Sequence, residues 1–577
     1  MEHSSPHNAR PSLIDRLLTY SYSLHQGDRF LIFLAALTVF ISLLWVGLAI
    51  NQRVSIDVPA RGGTFTEGIL GTPRFVNPVL AITSADRDMN QLIYAGIAQL
   101  GEDGTIVPDI AESITVSDDG FVYNIVLRGD VFFHDGTRLT ANDVAFTIER
   151  IQDPLSASPL RASWDGVVVE VLNDHELNFV LQEPYAPFME NLTVGILPAH
   201  IWKEASYEEF PFSQYNSEPI GSGPYKIKNI SRDTSGIPDS YVLTPHTEYH
   251  NDVAKINTLV LNFYANEEKR IEAFNEGVID AVSGISPNVL DDTTALHNIV
   301  KIPLPRTFAV FFNQNKSDIL RDASVRRALN AAIDRNDLIA NVLDGYGRPL
   351  HSPIPEGFGA TTSQKEGVEE PAIDRARAIL RNGGWQPNEE TGIWEKETDD
   401  VVEQLTISLS TANTPIFEQT ALYLKEQWET LGVVVQIKQF EQSDLTQTVI
   451  RPRDYEALLF GTALGRALDF YSFWHSSQRN DPGLNIALYA NIAGDAALST
   501  ARTSLNIEER NEAIQEFTKE VLSDVPAIFL FSPEFVYILP QGVTTPAFTG
   551  LGEPHERFTH IENWYMDTDF IWTFLQR

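Results

Sequence analysis

Residues 30–50 read FLIFLAALTVFISLLWVGLAI, without a single charge. Few folds accept such a stretch. As a helix it spans about 30 Å, the thickness of one bilayer hydrocarbon core. Three readings compete: a buried core helix, a cleaved secretory signal, or an uncleaved membrane anchor. Gly47 and Ala49 supply small residues of the kind a signal peptidase reads. Secretory apolar regions usually run to about 7–15 residues, and here a long polar segment precedes the run. The anchor is the reading carried forward, with 51–61 as a short linker. Arg10, Arg16 and Arg29 before the run are offset by Arg53 and Arg61 after it, so loop charge gives orientation little support.

The rest is a different kind of sequence. A chain of 577 residues exceeds one ordinary core, so several lobes are expected. Its net charge of −36 argues against a nucleic-acid partner, whose phosphates need Lys and Arg. With no cysteine there is no disulfide, thiolate metal site, cysteine nucleophile or lipid-bearing cysteine. From Gly62 onwards strands and helices alternate without a low-complexity tract or solenoid repeat.

Local patterns place several elements. FVYNIVL, 121–127, alternates as a strand and follows the turn signal SDDG. SVRRALNAAI and RNDLIANVLDG predict two helices, the second capped at Gly345. PIFEQTALYLKEQWETLG predicts a helix ending near Gly432, followed by a strand, VVVQIKQF. NIEERNEAIQEFTKEVLSD is a further helix, and AIFLFS and FVYIL read as two strands.

Chemistry-bearing motifs are scarce. In FFHDGTRLTANDVAFTIERI, His134 and Asp135 look like a pair. Neighbours on a strand point to opposite faces, so they are poorly placed to act on one atom. The stretch reads as strand, turn at Asp135-Gly136, and a helix capped by Thr140 and Asp143. HTEYH sets His246 and His250 at a spacing that suits a metal on a helix. After YVLTP the segment reads as extended, which would put them about 13 Å apart. There is no G-x-x-x-x-G-K-[ST], G-x-S-x-G or H-E-x-x-H. No catalytic residue, metal or cofactor is expected.

IAESITVSDDGFVYNIVLRGDVFFHDGTRLTANDVAFTIERI resembles the signature of the family 5 extracellular solute-binding proteins, the peptide- and nickel-type receptors of ATP-binding cassette importers. GTPRFVNPVL (71–80), PIGSGPYKI (219–227), FFNQNKSDILRDASVRRALNAAIDR (311–335), DFYSFWHSSQ (469–478) and the segment 507–539 continue it in order. The resemblance implies an α/β fold of the periplasmic-binding type, a three-lobed clamshell of type II, and the apolar run sets one transmembrane helix before it. It divides the chain into a cytoplasmic tail (1–29), anchor (30–50), linker (51–61), lobe I (62–98), lobe II (99–215), lobe I again (216–305), lobe III (306–545) and a last part of lobe I (546–577). It further implies a monomer outside the cytoplasm that binds peptide or another small solute between its jaws. Partners would be membrane permease subunits. A tethered sensor or docking protein, or a receptor for a metal chelate or oligosaccharide, stays open beside it.

By position along that pattern, Thr72, Pro73, Arg74 and Phe75, then Phe311, Phe312 and Asn313, then Arg466, Asp469, Phe473 and Trp474 are the candidate ligand-binding residues. Phe473 and Trp474 also read as core aromatics. The sequence departs from the resemblance in one respect. Where many peptide-binding members carry an aspartate for the peptide amine, in G-W-x-A-D, this chain has Arg466 within GTALGRALDF. Asp469 is the nearest carboxylate. The expectation is that Asp469 reads a cationic ligand group and Arg466 an anionic one.

Overall fold

The computed structural model describes residues 25–293, 298–358, 373–398, 401–466 and 468–572. The expected amino-terminal tail therefore lies outside the described residues as far as residue 24. The chain divides into two units, residues 1–60 with 567–577, and Arg61–Met566.

In the smaller unit the apolar run lies within one helix, Gln26–Val54, of 29 residues. It is exposed all round: Phe30 is 65% and Trp45 71% accessible. A helix apolar on every face has no water-facing side, which excludes the buried-core reading here. The expected linker is not irregular. The helix runs to Val54, and Ser55–Ala60 is a strand, antiparallel to Asp567–Trp572. The hydrogen-bond partner of 55–60 lies at the other end of the chain, where local pattern does not reach.

The larger unit is built on a twelve-stranded mixed sheet. Gly62–Leu70 runs parallel to Ile256–Tyr264 and Ala281–Ser283. Thr406–Ala412, parallel to Val434–Phe440 and Ala457–Ala463, forms the other wing, and Arg306–Phe312 joins it antiparallel. One strand ties the wings together. Ala527–Leu539 pairs through Ala527–Phe531 with Val310 and its neighbours, and through Glu534–Leu539 with Asn298–Pro303. AIFLFS and FVYIL are thus one strand of 13 residues, not two. Pro533 lacks an N–H and reads as a break; it sits where the strand changes partners, opposite Gly347.

Cores follow the same division. One large core draws on residues between Phe65 and Leu304 and between Phe535 and Trp564. Two others draw on residues between Ala309 and Phe531. A separate sheet orders Ala111–Val116, Val122–Leu127, Glu176–Val180 and Val168–Asn173. In Val122–Leu127 the residues Tyr123, Ile125 and Leu127 are buried, the face that alternation selects.

Helix ends follow their local chemistry, with small shifts. Asp143 accepts the Thr140 N–H at 2.8 Å. The Thr140 hydroxyl donates to the same carboxylate at 3.0 Å. The other Asp143 oxygen accepts from Ala199 N–H, tying the helix to the next loop. Gly432 caps Pro415–Leu431 in the left-handed region, φ 103°. For Arg335–Leu343 that position falls to Asp344, one residue before Gly345.

The opening motif meets the glycine segment. His134 N–H donates to Gly221 O at 2.8 Å. Its Nδ1 accepts from Gly221 N–H at 3.3 Å, and Nε2 lies 3.2 Å from Gly223 O. Asp135 turns the other way, to His200 Nε2 at 2.7 Å. A Cβ on Gly221 would lie 2.1 Å from Ile93 O, backbone against backbone. Gly221→Ala is expected to destabilise the fold by about 1–3 kcal/mol or more through overpacking, read from its denaturant midpoint. An unchanged midpoint would mean that the backbone at Ile93 gives way to the added methyl.

His246 and His250 flank a turn after the strand Pro238–Pro245 rather than continuing it. The His246 ring packs on His134, centroids 4.8 Å apart. His250 Nε2 pairs with Asp109 at 2.7 Å in the interior. The two turn to different partners, so geometry, not strand spacing, separates them.

Candidate ligand cleft

A cavity of about 620 Å³ opens where several stretches of chain meet. Residues 103–106 and 186–190 come from the side of the small sheet. Residues 357–358, 466, 468–471, 549–550 and several between 498 and 514 complete the lining. This volume suits a small organic ligand.

Both candidate charges line it. Asp469 Oδ2 accepts from the Tyr185 hydroxyl at 3.3 Å, and Oδ1 from Tyr471 N–H at 3.2 Å. Burial, then the Asp469 charge, push the Tyr185 phenol well above its ordinary pKa. Arg466 donates through Nη2 to Glu556 at 2.6 Å and to Gly550 O at 3.0 Å. Its fork is thus engaged by the protein's own carboxylate in this structure. A second cavity, about 440 Å³, shares Ile106, Glu190 and Arg466 with the first. Arg466 and Glu556 therefore stand in the wall between two compartments.

The other candidates lie elsewhere. Phe311 and Phe312 are buried, each in one of the two cores around the Arg306–Phe312 strand. Asn313 is buried too, donating through Nδ2 to Arg453 O at 2.9 Å. Trp474 is 4% exposed, packed among Phe311, Phe517 and Phe529. Phe473 lies half-buried against the same core. Thr72 to Phe75 form a turn whose Arg74 and Phe75 N–H groups donate to Asp86. None of these lines either cavity.

Sequence reading missed Tyr185, Tyr471, Arg502, Arg510 and Glu556. Arg502 lies over the Tyr185 and Tyr471 rings, 5.1 and 4.5 Å from their centroids. Tyr471 and Arg510 lie within the stretches 469–478 and 507–539 that carry the resemblance, but Tyr185, Arg502 and Glu556 lie in none of them.

A two-winged sheet and a cavity lined by charges of both signs fit a class, the two-jawed solute-binding proteins. A family model for bacterial extracellular solute-binding proteins, family 5, middle region, matches residues 105–482, and the chain belongs to that family. It is accordingly a binding protein, not an enzyme. The chain is similar to the oligopeptide-binding protein AppA of Bacillus subtilis (strain 168), 25% identical over 536 residues, covering 89% of this chain and 94% of that one. It is also similar to the probable D,D-dipeptide-binding periplasmic protein DdpA of Escherichia coli (strain K12), 24% identical, with 81% and 88% covered. Among solved structures, NikZ from Campylobacter jejuni in complex with Ni(L-His) matches with a TM-score of 0.67 and 25% identity, covering 87% of this chain and 99% of that one. CtaP from Listeria monocytogenes, at 24% identity and TM-score 0.73 over 88% of this chain and 99% of that one, shares the fold.

Proposed function

We propose that this chain is a membrane-tethered receptor that captures peptides in the cleft and delivers them to an ATP-binding cassette permease. The observation that carries it is the mixed charge of the cavity. Asp103, Glu190 and Asp469 share its lining with Arg466, Arg502 and Arg510. A zwitterion can complement a lining that carries both signs of charge. The names of the curated relatives, an oligopeptide and a D,D-dipeptide binder among them, support the same reading. The core division supports two jaws, one drawing on residues between Phe65 and Leu304 and between Phe535 and Trp564, the other on residues between Ala309 and Phe531. The exposed helix Gln26–Val54 supports the tether. The nickel–histidine complex of NikZ favours a second reading, an amino-acid chelate, itself zwitterionic.

The test is to purify the full-length chain gently from membranes, release its retained ligand and identify it by mass spectrometry, with amino-terminal sequencing alongside. Peptides are expected, on a chain whose start precedes residue 30. A metal chelate would favour the second reading, an oligosaccharide would overturn both, and a start near Ile50 or Asn51 would remove the tether.

A further inference from the structure

We propose that the chain meets the bilayer a second time, through its last strand, Asp567–Trp572, whose residues 570–572 are clasped to the base of the membrane helix and seat in the lipid headgroup layer. The proposal rests on the tether reading of Gln26–Val54 and adds a lipid surface as the partner of a segment far from it in sequence.

Register sets the depth. The apolar run ends at residue 50, the helix continues to Val54, and the strand Ser55–Ala60 begins at the next residue, without a loop. Residues 51–54 add about 6 Å of helical rise. The headgroup layer on each side of the hydrocarbon is itself about 5–7 Å deep. Ser55 therefore falls at headgroup level wherever the helix spans the bilayer. Ser55 is paired with Trp572, Ile56 with Ile571 and Asp57 with Phe570. Paired strands lie about 4.8 Å apart, so the backbone at 572 is brought to the same level.

Composition along the strand follows that placement. From its far end it reads Asp-Thr-Asp-Phe-Ile-Trp. A strand that lays one face on a core alternates polar and apolar residues. This one switches once along its length. Asp567, Thr568 and Asp569, paired with Ala60, Pro59 and Val58, are exposed. Phe570, Ile571 and Trp572 are the residues paired nearest the helix. Charge at the far end and an aromatic run at the near end match a water-to-lipid boundary, where tryptophan is enriched.

The strand pair also lacks another surface of its own. Among the described residues it is a sheet of two strands. Such a pair is marginal in water unless it packs on something. Asp57, Asp567 and Asp569 would be repelled by an anionic leaflet, so the fitting surface is zwitterionic lipid. Both ends of Arg61–Met566 continue into this unit, at Ala60 and at Asp567. A seated last strand gives the receptor two chain attachments to the bilayer instead of one.

The chain has no cysteine, so a single introduced label reports one position. Full-length protein in phosphatidylcholine vesicles would carry a polarity-sensitive fluorophore on Leu43→Cys, Ile571→Cys or Ser235→Cys, one at a time, with spin-labelled lipid as quencher. Leu43 lies in the apolar run, and Ser235 is an exposed turn residue of the larger unit. Lipid quenching is expected at 43 and 571 and not at 235. Adding Phe570→Ser with Trp572→Ser should abolish it at 571 and leave it at 43. Quenching at 43 alone in the parent overturns the contact and leaves the tether standing. Quenching at 571 that survives the double substitution also overturns it, since the label rather than the strand would then be seated. So does equal quenching at 235 and 571, which would give the strand no special place. No quenching at 43 removes tether and contact together.

Discussion

Arg557→Leu is expected to destabilise the larger unit by about 3–5 kcal/mol, because it strands two buried carboxylates. Arg557 is 1% exposed. Its Nη1 and Nη2 reach the two Asp88 oxygens at 2.6 and 2.8 Å, and Nε reaches Glu67 at 3.0 Å. Glu67 is completely buried and also accepts from Tyr537 at 2.6 Å and Ser283 at 2.7 Å. Burial opposes the guanidinium charge, but Asp88 and Glu67 outweigh it and raise the pKa above the ordinary arginine value. Arg557→Lys keeps the charge and loses the planar fork, so it should recover only part of the loss. Replacing the network as a whole, Arg557→Met with Glu67→Gln and Asp88→Asn, should cost less than Arg557→Leu alone, since no bare charge is left inside. Urea denaturation midpoints give the comparison. A loss below about 1 kcal/mol for Arg557→Leu would mean that water reaches the carboxylates, since exposed pairs contribute that little.

The same network shows why parts of this fold were legible and others were not. The strand at 122–127, the helix end at Gly432 and the turn after His134 are written within a few residues, and each was readable. The Arg557 network joins positions 67, 88, 283, 537 and 557, on separate elements. No window holds two of its members close enough to interact. The cavity is of this kind too. Asp469 stands out in sequence as a lone carboxylate among apolar residues, and Arg466 by its place in the family pattern, while Glu556 and Tyr185 are ordinary residues until the chain brings them to Arg466 and Asp469. Phe311 and Phe312 lie in the cores rather than along the cavity for a physical reason. Their strand lies inside the sheet, between Ala457–Ala463 and Ala527–Leu539, and is packed on both faces. An aromatic run on such a strand reads alike whether it lines a cleft or fills a core.

Acid should weaken this protein well before its carboxylates titrate, through histidines held neutral inside. Burial, reinforced by His246, depresses the His134 pKa from 6.5 to about 3. His351, half-buried and near Arg335, falls to about 4. Burial lowers His246 and His555 as well. The sign follows directly. Below pH 6.5 the unfolded chain takes up protons at these sites and the folded chain does not, so stability present above 6.5 is lost as pH falls towards the folded values. Each such proton contributes a slope of about 1.4 kcal/mol per pH unit. With His134 and His351 alone, the loss between pH 6 and 4.5 should approach about 3 kcal/mol per unit. His560 works in another window. Its hydrogen bond to Glu562 raises its pKa, so its contribution changes only above 6.5. Ordinary carboxylates enter near pH 4 and below. Urea midpoints at pH 7, 6, 5 and 4.5 would trace the slope. His351→Gln removes one titrating site and should flatten it by about one proton's worth, whatever it does to stability at pH 7. A midpoint that holds steady down to pH 4.5 would mean that the imidazoles protonate in the folded protein. Their contacts with the glycine segment would then have to rearrange, because His134 accepts at Nδ1 from Gly221 N–H and an imidazolium has no acceptor to offer.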